Sequence, residues 1–137
     1  MIFIDSNIVI DLVENGSRWS SWSREAVCKA IAEGPLIANV VVVAECAPRF
    51  ESMDEELSYL DLIGIKVSEI PPMAAFRAGR AHRDYRRAGG ERTSLLADFL
   101  IGGHASALGA RLLTRDRQRF SSYFPELTLI TPETGHG

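Results

Sequence analysis

The sequence predicts an α/β fold: one domain, residues 1–137, with a parallel β-sheet flanked by helices on both faces. Three observations predict it. Short apolar runs alternate with stretches of helical apolar spacing, turn residues punctuate nearly every boundary, and 137 residues are too few for two good cores. An apolar fraction of 46% beside 24% charged residues belongs to an ordinary folded protein and excludes a disordered or collagen-like chain. The longest strictly aliphatic run, Val40 to Ala44, is far short of the roughly 18 residues a membrane helix needs. The N-terminus reaches Asp5 with neither a basic region nor a small-residue cleavage site, so nothing marks it for export and a cytoplasmic location is expected. Cys28 and Cys46 form no CxxC and sit in no histidine-rich cluster, which predicts two reduced, buried thiols.

Ile2-Phe3-Ile4 reads as a buried strand, followed by Asp5 and then Ser6 or Asn7 as the cap of an apolar-periodic helix through Val13. Trp19, Trp22, Ala26, Ala30 and Ile31 recur at helical spacing within residues 17–33, and Gly34-Pro35 stops that helix before the strand Leu36-Ile37-Ala38. Val40 to Val43 would be strand on propensity alone. Asn39 is a good N-cap, however, and a strand has only just ended, so the expectation is a short helix from Val40 to about Ala47, broken at Pro48. Ser52-Met53-Asp54-Glu55 opens a helix that ends near Gly64, its acids suited to the positive end of the helix dipole. Ile65, Val67 and Ile70 mark a third strand.

Pro71-Pro72 starts a long helix that Gly89-Gly90 terminates, with Ala74, Ala75, Ala78 and Ala81 on a small apolar side and arginines on the other. Thr93 or Ser94 is expected to cap a helix from Leu95 to about Leu108, closed by Gly109. Arg111 to Thr114 is the fourth strand, Arg117 to about Tyr123 a short helix, and Leu127, Leu129 and Ile130 the last strand. The tail from Pro132 to Gly137 is expected to fray.

Charge is unevenly spread: residues 1–75 hold 5 basic and 12 acidic side chains, residues 76–137 hold 10 and 6. Thirteen of the 15 basic residues are arginine, suited to bidentate phosphate contact, although GC-rich coding enriches arginine as well. In a parallel sheet ligands sit beyond the carboxyl ends of the strands. Asp5 and Asp116 fall there, and each alone reads equally as a helix N-cap. Glu45 lies in the apolar run VVVVAECA and Asp98 in LLADFLIG, where a carboxylate is rarely buried unless paired with an arginine or bound to a metal. Together the four acids have the ligand chemistry of a hard divalent cation, Mg²⁺ or Mn²⁺. Zinc is not indicated, because His82, His104 and His136 have no spacing with each other or with cysteine that makes a site. His104 reads as a helix residue near the acids or on the surface rather than a catalytic base.

Asp5-Ser6-Asn7 after the first strand, Glu45 in NVVVVAEC, Asp98 in LLADFLIGGHA and Asp116 in LLTRDRQRFSSYFPEL resemble, in order and spacing, the four acidic motifs of the PIN-domain ribonucleases. More narrowly they resemble the VapC toxins of bacterial toxin-antitoxin pairs. The resemblance spans nearly the whole chain. It implies Asp5, Glu45, Asp98 and Asp116 as ligands of Mg²⁺ or Mn²⁺, directly or through water, and single-stranded RNA as substrate. Thr114 matches the family's hydroxyl residue two positions before the last acid, and Ser6 and Asn7 match the polar pair after the first. Some relatives carry another acid just after the last one; here Arg117, Gln118 and Arg119 follow, so the sequence does not decide between one metal and two.

The resemblance further implies cleavage to 5′-phosphate and 3′-hydroxyl ends, a homodimer, and a cognate antitoxin that joins it in a heterotetramer or larger assembly and lays a basic residue among the acids. Trp19, Trp22 and Phe50 are candidates for its docking groove. Arg77, Arg80, Arg83, Arg86, Arg87, Arg115, Arg117 and Arg119 are candidates for phosphate contacts. Three other readings stand beside this one. A haloacid dehalogenase-type phosphatase needs an acid where Asn7 stands and a lysine that neither Lys29 nor Lys66 supplies. A PIN-like module could bind RNA or a partner without cutting, and a housekeeping RNA-processing nuclease would share the chemistry.

Overall fold

The apolar runs at Ile2, Leu36, Ile65, Arg111 and Leu129 become five parallel strands, and the periodic stretches between them become helices. The computed structural model describes residues 1–91 and 94–132. In chain order the elements are β1 (Ile2–Ile4), α1 (Ser6–Glu14), α2 (Ser20–Glu33), β2 (Leu36–Asn39), α3 (Val40–Cys46), a 3₁₀ turn (Ala47–Arg49) and α4 (Met53–Ile63). Then follow β3 (Ile65–Ser68), α5 (Pro72–Arg87), α6 (Leu96–Ala107), β4 (Arg111–Leu113), α7 (Arg117–Tyr123) and β5 (Leu129–Ile130). The sheet order is β3-β2-β1-β4-β5, every pairing parallel. Side chains alternate between the faces of a strand, yet Ile2, Phe3 and Ile4 are all fully buried, so helices cover β1 on both faces. Among the described residues no helix is long and apolar enough to cross a membrane.

The ambiguous VVVV segment is helical. Asn39 Oδ1 accepts from the backbone N–H groups of Val41 and Val42 at 3.0 and 3.3 Å, satisfying two donors that the first turn of α3 leaves free. That fixes the amide's orientation, so Nδ2 faces Leu100 O at 3.3 Å and His104 Nδ1 at 3.1 Å. Nδ1 must therefore accept, and His104 is the neutral tautomer; burial holds its pKa below the ordinary value. The ring is fully buried, 5.5 Å from Phe3 in an edge-on pair, and its Nε2 has no partner. His104 is thus a core residue that steadies the start of the helix bearing Glu45, not a surface group.

Several boundaries differ from the sequence reading. Asp5, rather than Ser6 or Asn7, caps α1, because the chain leaves the strand extended at Asp5 and its own carboxylate reaches Ser6 N. Leu95 holds the cap position of α6 without a side-chain bond; Ser94 is buried with its hydroxyl unpartnered, and Thr93 lies outside the described residues. β3 ends at Ser68, so Ile70 is excluded, because its pairing strand ends at Asn39 where α3 begins. Leu127 is buried in the turn before β5. Thr114 falls just past β4 but keeps a ladder bond to Ile130 O at 3.1 Å. Cys46 is buried, its thiol pushed up to about 12 chiefly by burial, whereas Cys28 is exposed because it sits on the outer face of α2. The expected frayed tail falls, beyond Pro132, outside the described residues.

The helix α6 packs closely on α5. A Cβ at Gly103 would stand 3.2 Å from Ala78 Cβ, so a glycine there sets the approach, while one at Gly102 would stand only 2.4 Å from the Phe124 ring, just past α7.

Asn39→Ala removes the α3 cap and leaves His104 Nδ1 and Leu100 O without their donor. It should lower unfolding stability by about 1–3 kcal/mol, read as the midpoint of urea denaturation.

Candidate active site at the carboxyl ends of β1 and β4

The strand order reverses at β1, with β2 on one side and β4 on the other, and the crevice beyond such a switch point is where parallel sheets bind ligands. Asp5 ends β1 there. Its Oδ1 accepts from Ser6 N at 2.7 Å, and its Oδ2 accepts from Thr114 Oγ1 at 2.7 Å, a bond between the two strand ends. Thr114 Oγ1 itself accepts from Asp116 N at 3.0 Å and from Asn7 Nδ2 at 3.4 Å, while Asn7 Oδ1 accepts from Arg115 N at 3.3 Å. A single buried hydroxyl therefore joins Asp5, Asn7 and Asp116.

The other two acids arrive on helices. Glu45, on α3 and half-buried, accepts a short hydrogen bond from Ser6 Oγ. Asp98, in the first turn of α6, is buried, and the neighbouring Phe99 ring is stacked on Tyr123 at 4.4 Å and packed by Tyr85, His82 and Phe124. That aromatic group fixes the helix turn that presents Asp98. Asp116 caps α7 by accepting from Arg119 N at 3.4 Å. The Arg119 guanidinium then joins two acids, with Nε 3.0 Å from Asp116 Oδ2 and Nη1 3.3 Å from Asp98 Oδ2.

All four predicted acids and Thr114 thus lie at one end of the sheet, and the ordinary alternatives weighed for them also hold. Asp5 and Asp116 are N-caps, and Asp98 is paired with an arginine. Glu45 is not; its partner is a serine hydroxyl. As they stand, held apart by Ser6, Thr114 and Arg119, no three of the described His, Cys, Asp or Glu side chains are gathered closely enough to hold a metal ion.

Electrostatics show what this clustering costs. Burial, with added repulsion from Asp98 and Glu45, raises the Asp5 pKa to about 7, against the lowering effect of its bonds from Thr114 and Ser6. Burial also raises Asp98, helped by the charges of Glu45 and Asp116 and opposed by Arg119. For Arg119 burial pulls downward, but the charges of Asp98 and Asp116 overcome it and hold the guanidinium above its ordinary value. An all-oxygen donor set with mutual repulsion is chemistry that a hard divalent cation relieves, so the residue types fit such an ion.

Asp11 was not singled out in the sequence, although it interrupts the apolar run IVIDLV as conspicuously as Asp98 interrupts its own. It is buried on α1, accepting from Ser23 Oγ at 2.6 Å and from Arg115 Nε and Nη2 at 2.7 and 3.1 Å. Arg115 also lies 5.6 Å over the Trp19 ring. This arginine is therefore committed to anchoring the loop before Asp116 and is not free for phosphate. Arg119 is engaged with acids, and Arg83 pairs with its neighbour Asp84 at 2.8 Å. Arg83, Arg86 and Arg87 line, with Gly79, His82 and Gly90, a surface hollow of about 490 Å³. A larger groove of about 750 Å³ runs between α1, α2 and α4, with Leu12, Val27, Ile31, Phe50, Tyr59 and Leu62 among its walls. Of the three aromatics expected at a docking groove, only Phe50 lines it. Trp22 packs against the core and Trp19 sits beneath Arg18 and Arg115.

Asp5 binds its proton more tightly folded than unfolded, so the stability this group contributes is full below its unfolded value of 3.8 and is lost as pH rises through about 7. Asp5→Asn cannot ionise. In metal-free buffer its melting temperature relative to the wild type should therefore climb between about pH 4 and pH 8. A constant difference across that window would mean that ionised Asp5 is not strained.

Comparison with known proteins agrees with this architecture. No curated protein is similar enough in sequence to match. Among solved structures the fold is shared with VapBC2 from Rickettsia felis bound to a DNA fragment from their promoter, at TM-score 0.72 and 18% identity over 96% of this chain and 98% of that one. It is shared with FitAcB from Neisseria gonorrhoeae, at TM-score 0.73 and 16% identity over 96% and 98%. A toxin-antitoxin complex from Klebsiella pneumoniae matches at TM-score 0.65 and 20% identity over 96% and 98%. At these identities the likeness is one of fold. The PIN domain family model matches residues 2–123, and with the acids and Thr114 at the switch point of a five-stranded parallel sheet, the chain belongs to the PIN domain family.

Proposed function

We propose that this PIN domain is a metal-dependent endoribonuclease, the toxin of a toxin-antitoxin pair acting in the cytoplasm on single-stranded regions of RNA. The observation that carries the reading is that Asp5, Glu45, Asp98 and Asp116, from four separate chain segments, lie at the switch point of a PIN fold within electrostatic reach of one another. One of the fold relatives, from Klebsiella pneumoniae, is a toxin-antitoxin complex, which supports the toxin assignment.

Asp5, Glu45, Asp98 and Asp116 would hold Mg²⁺ or Mn²⁺, directly or through water. The bound ion supplies a water nucleophile at neutral pH and neutralises charge on the phosphate under attack. Thr114 acts as a positioning residue. Its hydroxyl donates to Asp5 and accepts from Asp116 N, so it sets the distance between the acids of β1 and β4 and keeps Asp5 oriented. Ser6 does the same for Glu45. In-line attack by water on phosphorus expels the 3′ oxygen, so the products carry 5′-phosphate and 3′-hydroxyl ends and the 2′-hydroxyl takes no part. The hollow lined by Arg86 and Arg87, together with exposed Arg117, is the basic surface assigned to the RNA backbone.

The groove between α1, α2 and α4 is the docking site assigned to the antitoxin. Its apolar walls, with Leu62 84% exposed and Ile31 52%, suit the apolar face of an amphipathic helix, and Arg24, Arg49 and Glu55 give it a polar rim. A second apolar patch of Val40, Val41, Ala44, Leu96, Ala97 and Leu100 surrounds Glu45 and is assigned to the homodimer, with both active sites then on one face of the assembly.

Asp5→Asn, Glu45→Gln, Asp98→Asn and Asp116→Asn should each lose at least about a hundredfold in cleavage rate while remaining folded, and chelator should abolish wild-type cleavage. Arg83→Ala, whose guanidinium is already spent on Asp84, should lose far less. The measurement is mapping of new 5′-phosphate ends on an RNA substrate. Binding of RNA without chelator-sensitive cleavage would instead identify a module that binds but does not cut. Leu62→Glu should weaken antitoxin binding about tenfold or more by placing a charge in an apolar contact, without lowering cleavage by the free toxin. Should no antitoxin copurify or be encoded beside the gene, the same chemistry would belong to an RNA-processing nuclease.

A further inference from the structure

We infer that Arg119 is a built-in counter-cation of the site, occupying the space between Asp98 and Asp116 in the metal-free protein and displaced when a divalent cation binds. The inference rests on the proposed metal reading and concerns how this particular chain prepares for the ion.

The geometry is that of a substitute ligand sphere. A buried carboxylate, Asp98, and a half-buried one, Asp116, are bridged by one guanidinium through Nη1 and Nε. Asp98 and Asp116 are like charges at one end of the sheet, and a guanidinium bridging them offsets their repulsion without a metal. The arginine is also built to leave. Its side chain is 45% exposed and its bond to Asp98 is a single one at 3.3 Å, so water reaches the guanidinium from its open side. Arg119 and Asp116 themselves line a hollow of about 300 Å³, with Tyr85, Glu91, Gln118, Ser122 and Tyr123, so the guanidinium stands in the wall of an open depression. Arg115, one turn of chain away, offers the contrast. Its contact with Asp11 is bidentate, its side chain is 27% exposed rather than 45% and its ring neighbour is Trp19, so that arginine stays in place.

A divalent ion carries twice the charge and coordinates carboxylate oxygens directly, so it prevails over a screened guanidinium. Part of its binding energy is nevertheless spent on expelling Arg119. Metal affinity in this chain is therefore held below what the four acids alone would give, and the metal-free site is closed rather than an open pocket of charge.

The test uses the full chain in about 0.15 M salt, where the Debye length is roughly 8 Å. Mn²⁺ is titrated calorimetrically into the wild type, Arg119→Gln and Arg117→Gln, the last removing an equal charge two residues away on the same helix. Arg119→Gln should bind Mn²⁺ about fivefold or more tightly than the wild type, and Arg117→Gln should stay within about twofold. In a second measurement, Mg²⁺ is added while the Arg119 Nη–H resonances are followed by NMR. The Nη1 proton should be protected in the metal-free wild type by its hydrogen bond to Asp98 Oδ2 and lose that protection as Mg²⁺ binds. Equal affinities across the three proteins, or an Arg119 signal that stays protected at saturating Mg²⁺, overturn the inference and leave the metal site standing. If none of the three binds Mn²⁺, the metal reading itself falls, and this inference with it.

Discussion

The hydrogen bond from Thr114 to Asp5 is the contact on which the site depends. It forms because β1 and β4 are neighbours in a parallel sheet, which brings two residues 109 apart in sequence to the same end of adjacent strands. The same hydroxyl accepts from Asp116 N and Asn7 Nδ2, so the β1–α1 junction and the segment after β4 are tied at one buried oxygen. A hydroxyl suits this position because it can donate to a carboxylate and accept from an amide at once; a valine of the same shape would leave all three partners unpaired in a buried setting.

Around that knot the protein sets repulsion against constraint. Four carboxylates lie where the fold places them, and burial, with added repulsion between them, raises the pKa of Asp5 and Asp98, because the strands and helices bearing them are anchored elsewhere. Asn39 and His104 anchor α3, the Phe99 aromatic group anchors α6, and the Asp11–Arg115 pair anchors the loop before Asp116. None of these touches the centre of the site, yet each removes a direction in which an acid could move away. A binding site for a cation is in this sense a fold that denies its acids an escape.

The surface divides by chemistry in a way that matches the proposed partners. Apolar walls lie between α1, α2 and α4, and a second apolar patch flanks Glu45. Arg83, Arg86 and Arg87 of α5 face a separate hollow. The small apolar stripe of Ala74 and Ala78 that packs α5 onto α6 is what leaves those arginines outside.

The sequence by itself determined the element order and the alternation that makes a parallel α/β sheet, because these depend on local signals: apolar period and caps. Asn39 shows how far such signals reach, since its capping chemistry correctly overrode the strand propensity of four valines. What lay beyond them was pairing across the chain. Where β3 stops depends on where β2 turns into α3, and whether an arginine is free depends on which acid faces it. Arg115 and Arg119 look alike in the run TRDRQR, but one meets buried Asp11 across 104 residues and the other meets Asp98. Only the tertiary structure decided that, because an ion pair is chosen by distance in space and by burial, and neither is encoded at the position of the charge itself.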